Sequence, residues 1–158
     1  MKKLFTLVVA AFAALSVSAK EDIDISSIAT DNVVTFAGAW SWKGINYGST
    51  DEATGETTYA DKSAFDYVVF EYTTGTCAEV NLIAQYEKDG TTGQYGANYY
   101  TSTETSTVFP AGGILAVKLD AAHSKTMNAV ALQNRNTVGA ITIKAAYFAS
   151  EAEYAEAK

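Results

Sequence analysis

Apolar and polar residues alternate along most of this chain, and that period of two restricts the fold more than any other feature. Successive side chains of a β-strand point to opposite faces, so strict alternation is typical of strands with one face buried. In the segment 78–87, for example, the apolar side is formed by Val80, Leu82, Ala84 and Tyr86. Similar segments are found at 33–37, 40–47, 65–73, 113–120, 127–134 and 138–148.

Clusters of Gly, Ser, Thr, Asn and Asp separate these segments. The longest is 48–63, and 88–93 contains an Asp-Gly pair that is typical of a hairpin turn. Strands that recur every 8–12 residues or so indicate a sandwich or a barrel. We therefore predict one all-β domain, a β-sandwich of about eight strands in two antiparallel sheets. Only the tail, Ser150–Lys158, has a helical composition.

The first nineteen residues have the pattern of an export signal. Lys2 and Lys3 precede an apolar run, Leu4–Leu15, that only Thr6 interrupts, and small residues end at Ala19. This order is typical of a cleavable secretory signal peptide, and the run is shorter than the roughly 20 residues that span a membrane. We predict a signal peptide at 1–19 and one sandwich domain at 20–158. The product is expected to be secreted or periplasmic, without membrane insertion after cleavage.

Composition excludes several classes of protein. The chain has 18 acidic and 11 basic residues, a formal charge of −7, whereas nucleic acids and anionic membranes attract basic proteins. With one Cys and one His, it can form neither an internal disulfide nor the usual zinc site. Cys77 and His123 lack the setting of a catalytic pair, since His123 lies in a polar, loop-like stretch.

Motifs for enzymatic chemistry are also missing from the sequence. It contains neither a nucleophile elbow nor a phosphate-binding loop. We therefore expect a protein that is not an enzyme and needs no cofactor. A small glycosidase is the hardest enzyme to exclude, because it needs only two carboxylates such as Glu71 and Glu79. A structural Ca²⁺ held by scattered oxygen ligands stays open, and the sequence does not locate a metal site.

Aromatic residues exceed what a sandwich core of this size needs. An exposed aromatic ring can stack on the apolar face of a sugar, while neighbouring amides and Arg bond its hydroxyl groups. The candidate carbohydrate-binding residues are Trp40, Trp42, Tyr47, Asn81, Gln85, Tyr99, Gln133 and Arg135. Two alternatives stay open: either Trp could be the large residue of the core, and the glutamines could be ordinary exposed strand residues.

Several strand segments together resemble a known family. They are F-D-Y-V-V-F-E-Y (65–72), the strand at 80–86, V-K-L-D (117–120), V-A-L-Q-N (130–134) and I-T-I-K-A-A-Y-F (141–148). In this order and spacing they resemble the jelly-roll, galactose-binding-like carbohydrate-binding modules of secreted Bacteroidetes polysaccharide-degrading systems. The resemblance implies sugar binding on a concave face, through a Trp of an early strand and a Gln of the V-A-L-Q strand. These positions correspond to Trp40 or Trp42 and to Gln133.

Three functions follow as expectations from the sequence. The first is non-catalytic binding of a polysaccharide or oligosaccharide of the β-glucan, xylan or mannan type. The second is a structural or adhesive secreted or surface protein that uses the sandwich as a scaffold. The third is a small glycoside hydrolase that depends on Glu71.

Overall fold

The computed structural model describes residues 20–88, 100–103, 106–135 and 138–158. Within these ranges the strands are β1 (Glu21–Asp22), β2 (Val33–Phe36), β3 (Trp42–Asn46), β4 (Ser49–Thr50), β5 (Thr57–Thr58), β6 (Tyr67–Gly75), β7 (Val80–Tyr86), β8 (Tyr100–Ser102), β9 (Gly113–Lys118), β10 (Met127–Asn134) and β11 (Gly139–Ala149). A 3-10 turn, Ser124–Thr126, precedes β10, and the helix α1 spans Glu151–Ala157.

The strands form two main antiparallel sheets. Sheet A has the order β1-β11-β6-β9, and β2 pairs with β11 beyond the end of β1. Sheet B has the order β3-β10-β7-β8, and β4 and β5 form a separate small hairpin. Every pairing between these strands is antiparallel. The predicted all-β sandwich of two sheets is confirmed.

One apolar core fills the space between the two sheets. Sheet A contributes Phe70 and Phe148, and sheet B contributes Leu82 and Leu132, all of them fully buried. Alternation in the sequence therefore identified the inward faces of the strands. The strand predicted at 127–134 has the same bounds in the structure.

Two parts of the strand prediction need correction. The strand predicted at 40–47 begins only at Trp42, because Trp40 has a φ of +60°. This left-handed conformation is uncommon for a bulky residue and cannot continue a strand. The segment 48–63, predicted as a loop, contains the β4–β5 hairpin. The short strands β1 and β8 were not predicted, since two or three residues are too few to show a period.

The outer face of sheet A is covered by α1. A second apolar cluster forms there, in which the ring of Tyr154 lies 4.2 Å from that of Tyr67. Ser150 and Glu153 form a reciprocal capping box at the start of the helix, which satisfies otherwise unpaired amide groups. The helix begins where the tail was predicted to have helical composition.

The α-helix of the described ranges, α1, is seven residues long. No helix there is long and apolar enough to cross a bilayer. The predicted signal peptide at 1–19 lies outside the described residues and stays a prediction.

Candidate functional site

The outer side of sheet B carries a group of polar and aromatic side chains. We call Trp42, Asn81, Gln85, Asn128 and Gln133 the amide face. In the pairing of β3, β10 and β7, Gln133 stands opposite Trp42 on one side and Asn81 on the other. Since paired strands lie about 4.8 Å apart, this row of three side chains extends over roughly 10 Å.

A second polar row lies further along the same strands. Gln85 is paired with Ala129, and a bulge at this point adds Asn128 to β10. Asn128 Nδ2 donates a hydrogen bond of 2.9 Å to Gln85 Oε1. Between the two rows lies the register Gly44–Ala131, where the Trp42 indole covers Gly44 and Ala131 is 1% exposed. The structure therefore brings the predicted amides Asn81, Gln85 and Gln133 onto adjacent strands and one face.

These amides are far less exposed than surface residues usually are. The exposed fraction is 7% for Asn81, 7% for Gln85 and 6% for Gln133. Asn81 Oδ1 is buried and has no hydrogen-bond partner among the described contacts. A buried acceptor left in this state costs about 1–3 kcal/mol, so it strongly favours any donor that can reach it. A hydroxyl group of a ligand is such a donor.

Trp42 forms the end of the first row and remains accessible. Its side chain is 37% exposed, and its indole folds over Gly44. A Cβ atom at Gly44 would stand 2.5 Å from the indole Nε1, so only glycine leaves room for this orientation. Trp42 therefore presents an aromatic surface beside the buried amides, as the sequence analysis expected of one of the two Trp residues.

Trp40 and Arg135 lie together at the end of sheet B, where the loops begin. Trp40 is 56% exposed, and the Arg135 guanidinium lies 5.4 Å from the centre of its ring. The Trp40 amide donates to the carbonyl of Asn134 at 2.6 Å. Neither Trp40 nor Trp42 is a core residue. Trp40 precedes β3 and has a left-handed backbone, so it does not share a strand face with Trp42.

The structure does not bring Tyr47 to the amide face. Its half-buried ring packs edge-on against Phe148, with 5.7 Å between ring centres, and the Lys62 ammonium lies 5.3 Å away. Burial, followed by the charges of Glu21 and Asp24, raises the pKa of Tyr47 to about 12. Tyr47 is therefore part of the rim of the core. Tyr99, the remaining predicted residue, lies outside the described residues.

Asn128 was not singled out in the sequence. Simple alternation along β10 places it on the same side as Val130, facing the core. The bulge between Met127 and Ala129 changes this, because two residues of β10 then stand opposite one residue of β7. No residue pattern in this segment signals the bulge.

The two carboxylates considered for a glycosidase lie in different places. Glu71, on the outer face of sheet A, accepts hydrogen bonds from Lys144 Nζ at 2.9 Å and from the Tyr147 hydroxyl at 2.7 Å. These bonds lower the pKa of Glu71 from its usual value. Glu79 directly precedes β7 of sheet B. The structure therefore does not bring Glu71 and Glu79 together.

The groups considered for metal or thiol chemistry show no assembled site. Burial raises the pKa of the Cys77 thiol. His123 Nδ1 lies 3.2 Å from Asp120 Oδ1, beside the 3-10 turn. In the part of the chain that the structure describes, no group of three or more His, Cys, Asp or Glu side chains is arranged to hold a metal ion.

Comparisons with known proteins add no relative. No family model matches the chain, and no curated protein or solved structure matches it either. The amide face is therefore the basis on which a function can be assigned.

Proposed function

We propose that this chain binds polysaccharide on the amide face and does not cleave it. The observation that carries the proposal is the row Trp42, Gln133 and Asn81. In it, a buried acceptor without a hydrogen-bond partner among the described residues lies two strands from an accessible indole. A pyranose ring has an apolar face that can stack on the indole and hydroxyl groups that can donate to Asn81 Oδ1. The row is long enough to contact a sugar through both kinds of interaction.

The chemistry of the amide face favours a neutral glycan. Its four amides offer donors and acceptors but no charge, and amides suit hydroxyl groups, which also donate and accept. The formal charge of −7 repels glycans that carry carboxylates or sulfates. β-Glucan, xylan and mannan are neutral chains that meet this description.

The order of the strands supports a jelly roll. Without β1 and the β4–β5 hairpin, each sheet has four strands, in the orders β2-β11-β6-β9 and β3-β10-β7-β8. The chain changes sheet at every step except from β7 to β8. A jelly roll is an eight-stranded double sheet made of two Greek keys, and this strand order supports the proposal of that architecture. The family resemblance of the strand segments implies the same architecture.

Export is the second part of the proposal. The pattern of residues 1–19 is that of a cleavable leader, which would bring the chain to polysaccharides outside the cytoplasm. A binding protein for such ligands would need to be secreted or periplasmic. Both parts of the proposal therefore point to the same location.

Affinity electrophoresis in gels that contain β-glucan, xylan or mannan tests the proposal. We expect at least one of these gels to retard the wild-type protein. Trp42→Ala should weaken that retention at least tenfold, equivalent to about 1.4 kcal/mol, because the stacking surface is lost. Phe109→Ala is the matched control, since Phe109 is an aromatic residue of 59% exposure outside the amide face. Equal retention of the Trp42→Ala and wild-type proteins would contradict the proposed site.

The same experiment separates the two other functions. A structural or adhesive protein would migrate freely in all three gels and would self-associate or bind a protein partner. A glycosidase would release reducing sugar, and that release would disappear in Glu71→Gln. Either result would replace the proposal.

A further inference from the structure

The first described residue is bonded to the C-terminal helix. The main-chain nitrogen of Lys20 donates to Glu153 Oε1 at 3.1 Å. The other oxygen, Oε2, accepts from the nitrogen and the hydroxyl of Ser150, both at 2.9 Å. One carboxylate therefore joins Lys20 to the cap of α1.

The surroundings of Lys20 carry an excess of negative charge. An open cavity of about 270 Å³ is lined by Lys20, Glu71, Tyr147, Glu153, Glu156 and Ala157. The lining has three carboxylates, and its one basic residue is Lys20. Lys144, which is not part of the lining, forms an ion pair with Glu71. The ammonium of the Lys20 side chain lies 3.6 Å from the centre of the Tyr147 ring. A second positive charge, at the main-chain nitrogen of Lys20, would lie directly beside the Glu153 carboxylate that this nitrogen contacts.

The sequence provides a route to that second charge. Ala19–Lys20 is the bond at which the leader is predicted to be cut. A leader peptidase would break the C–N bond by adding water, with the hydroxyl going to the carbonyl carbon of Ala19 and a hydrogen to the nitrogen of Lys20. The resulting amine takes up a proton at neutral pH, since an α-amino group has a pKa of about 7.7–8.0.

We propose that removal of residues 1–19 creates an α-ammonium group at Lys20 that pairs with Glu153 and fastens α1 to the outer face of sheet A. In the precursor the same nitrogen is a neutral amide and forms an ordinary hydrogen bond. In the mature chain the bond joins two opposite charges, which makes it stronger. Cleavage thus completes the fold at the face that α1 covers, and this inference does not depend on glycan binding.

The first test is the pKa of the new amino group. The full chain is exported from a bacterial host, its N-terminus is identified by mass, and the α-nitrogen of Lys20 is titrated by ¹⁵N NMR. The charged and titratable groups that face it are its own side chain, Glu71, Tyr147, Glu153 and Glu156. We expect the pKa to exceed about 8 in the wild type and to return to about 7.7–8.0 in Glu153→Gln. Glu156→Gln, from the same helix and cavity, should lower it less.

The second test measures how firmly α1 is held. Hydrogen exchange of the α1 amides is compared between the mature chain and a chain with Gly-Ser before Lys20, which moves the ammonium away from Glu153. We expect exchange to be about two- to fivefold faster in the extended chain, the range that a partly exposed ion pair gives. The extension should have no further effect in Glu153→Gln.

The pH dependence has a defined sign. Pairing raises the pKa of the α-ammonium in the folded chain, so its stabilisation is complete below about pH 8 and is lost as the pH rises through the raised value. A mature N-terminus other than Lys20 would overturn the proposal. So would an unshifted pKa, or equal exchange rates in the mature and extended chains.

Discussion

Replacing Asn81 by Leu should stabilise the protein in the absence of ligand. Leu has nearly the shape of Asn, and it removes the buried Oδ1, which has no hydrogen-bond partner in the described part of the chain. An unpaired buried acceptor costs about 1–3 kcal/mol, so its removal should return about that amount. For a chain of this size, the change corresponds to a rise in Tm of about 3–10 °C.

Gln85→Met provides the matched control. Gln85 lies on the same strand and face as Asn81, and each is 7% exposed. However, Gln85 Oε1 accepts a hydrogen bond from Asn128. Loss of that bond should lower stability by about 0.5–1.5 kcal/mol, so the two substitutions are expected to have opposite signs. Gains from apolar burial and strand propensity are common to both variants and largely cancel in the comparison.

Thermal and urea unfolding of the two variants and the wild type would measure the difference. The reasoning is refuted if Asn81→Leu is no more stable than Gln85→Met, since Oδ1 would then have a partner in solution. Affinity electrophoresis of the same variants links stability to function. A more stable Asn81→Leu protein that has lost retention would show that the unpaired acceptor is kept for the ligand.

Four further predictions concern other parts of the structure. Gly44→Ala should turn the Trp42 indole away from the sheet and shift its Nε1–H signal in NMR spectra, because the new Cβ would stand 2.5 Å from that nitrogen. Glu21→Gln should lower the free energy of unfolding by about 1–3 kcal/mol, because the 8%-exposed Lys62 loses its carboxylate partner. Lys62→Met removes the buried charge itself and should change the free energy by less than about 1 kcal/mol. Glu71→Gln should make the free energy of unfolding depend less on pH in the acid range. The pKa of Glu71 is lowered in the folded protein, so its ionised carboxylate stabilises the fold above pH 4.5. This contribution is lost as the pH falls through the pKa of Glu71 in the folded protein.

Each of these has a result that would contradict it. An unchanged indole signal in Gly44→Ala would mean that Trp42 does not fold over this glycine in solution. Equal losses in Glu21→Gln and Lys62→Met would mean that the ion pair itself, and not the unpaired ammonium, sets the cost. Parallel acid unfolding curves for Glu71→Gln and wild type would show that the bonds to Glu71 do not contribute.

The strands and their faces could be predicted from the sequence because each depends on local alternation. The inward side of β7, for example, was predicted from Val80, Leu82, Ala84 and Tyr86, and all four are fully buried. The sugar-site hypothesis assumed that β3, β10 and β7 are neighbours, but the sequence did not predict it. Strand order depends on contacts between segments that are distant in the sequence.

The remaining errors have physical causes that the alternation of polar and apolar residues does not reveal. The left-handed backbone at Trp40 and the bulge at Asn128 change which way side chains point without any change in polarity. Tyr47 has polar neighbours in the sequence, yet its ring reaches Phe148 because β3 lies at the edge of the core. Such positions depend on tertiary packing, which a single sequence does not display.

The position of α1 determines how this molecule can be tethered. Lys20 and α1 lie on the outer side of sheet A, whereas the amide face is on the outer side of sheet B. A linker attached after Lys158 would leave from the side opposite the amide face. A solid surface or a fused domain joined through that linker would therefore not cover the amide face. Protein immobilised in this way should present the amide face to polysaccharide in solution, with the proposed pairing at Lys20 left undisturbed.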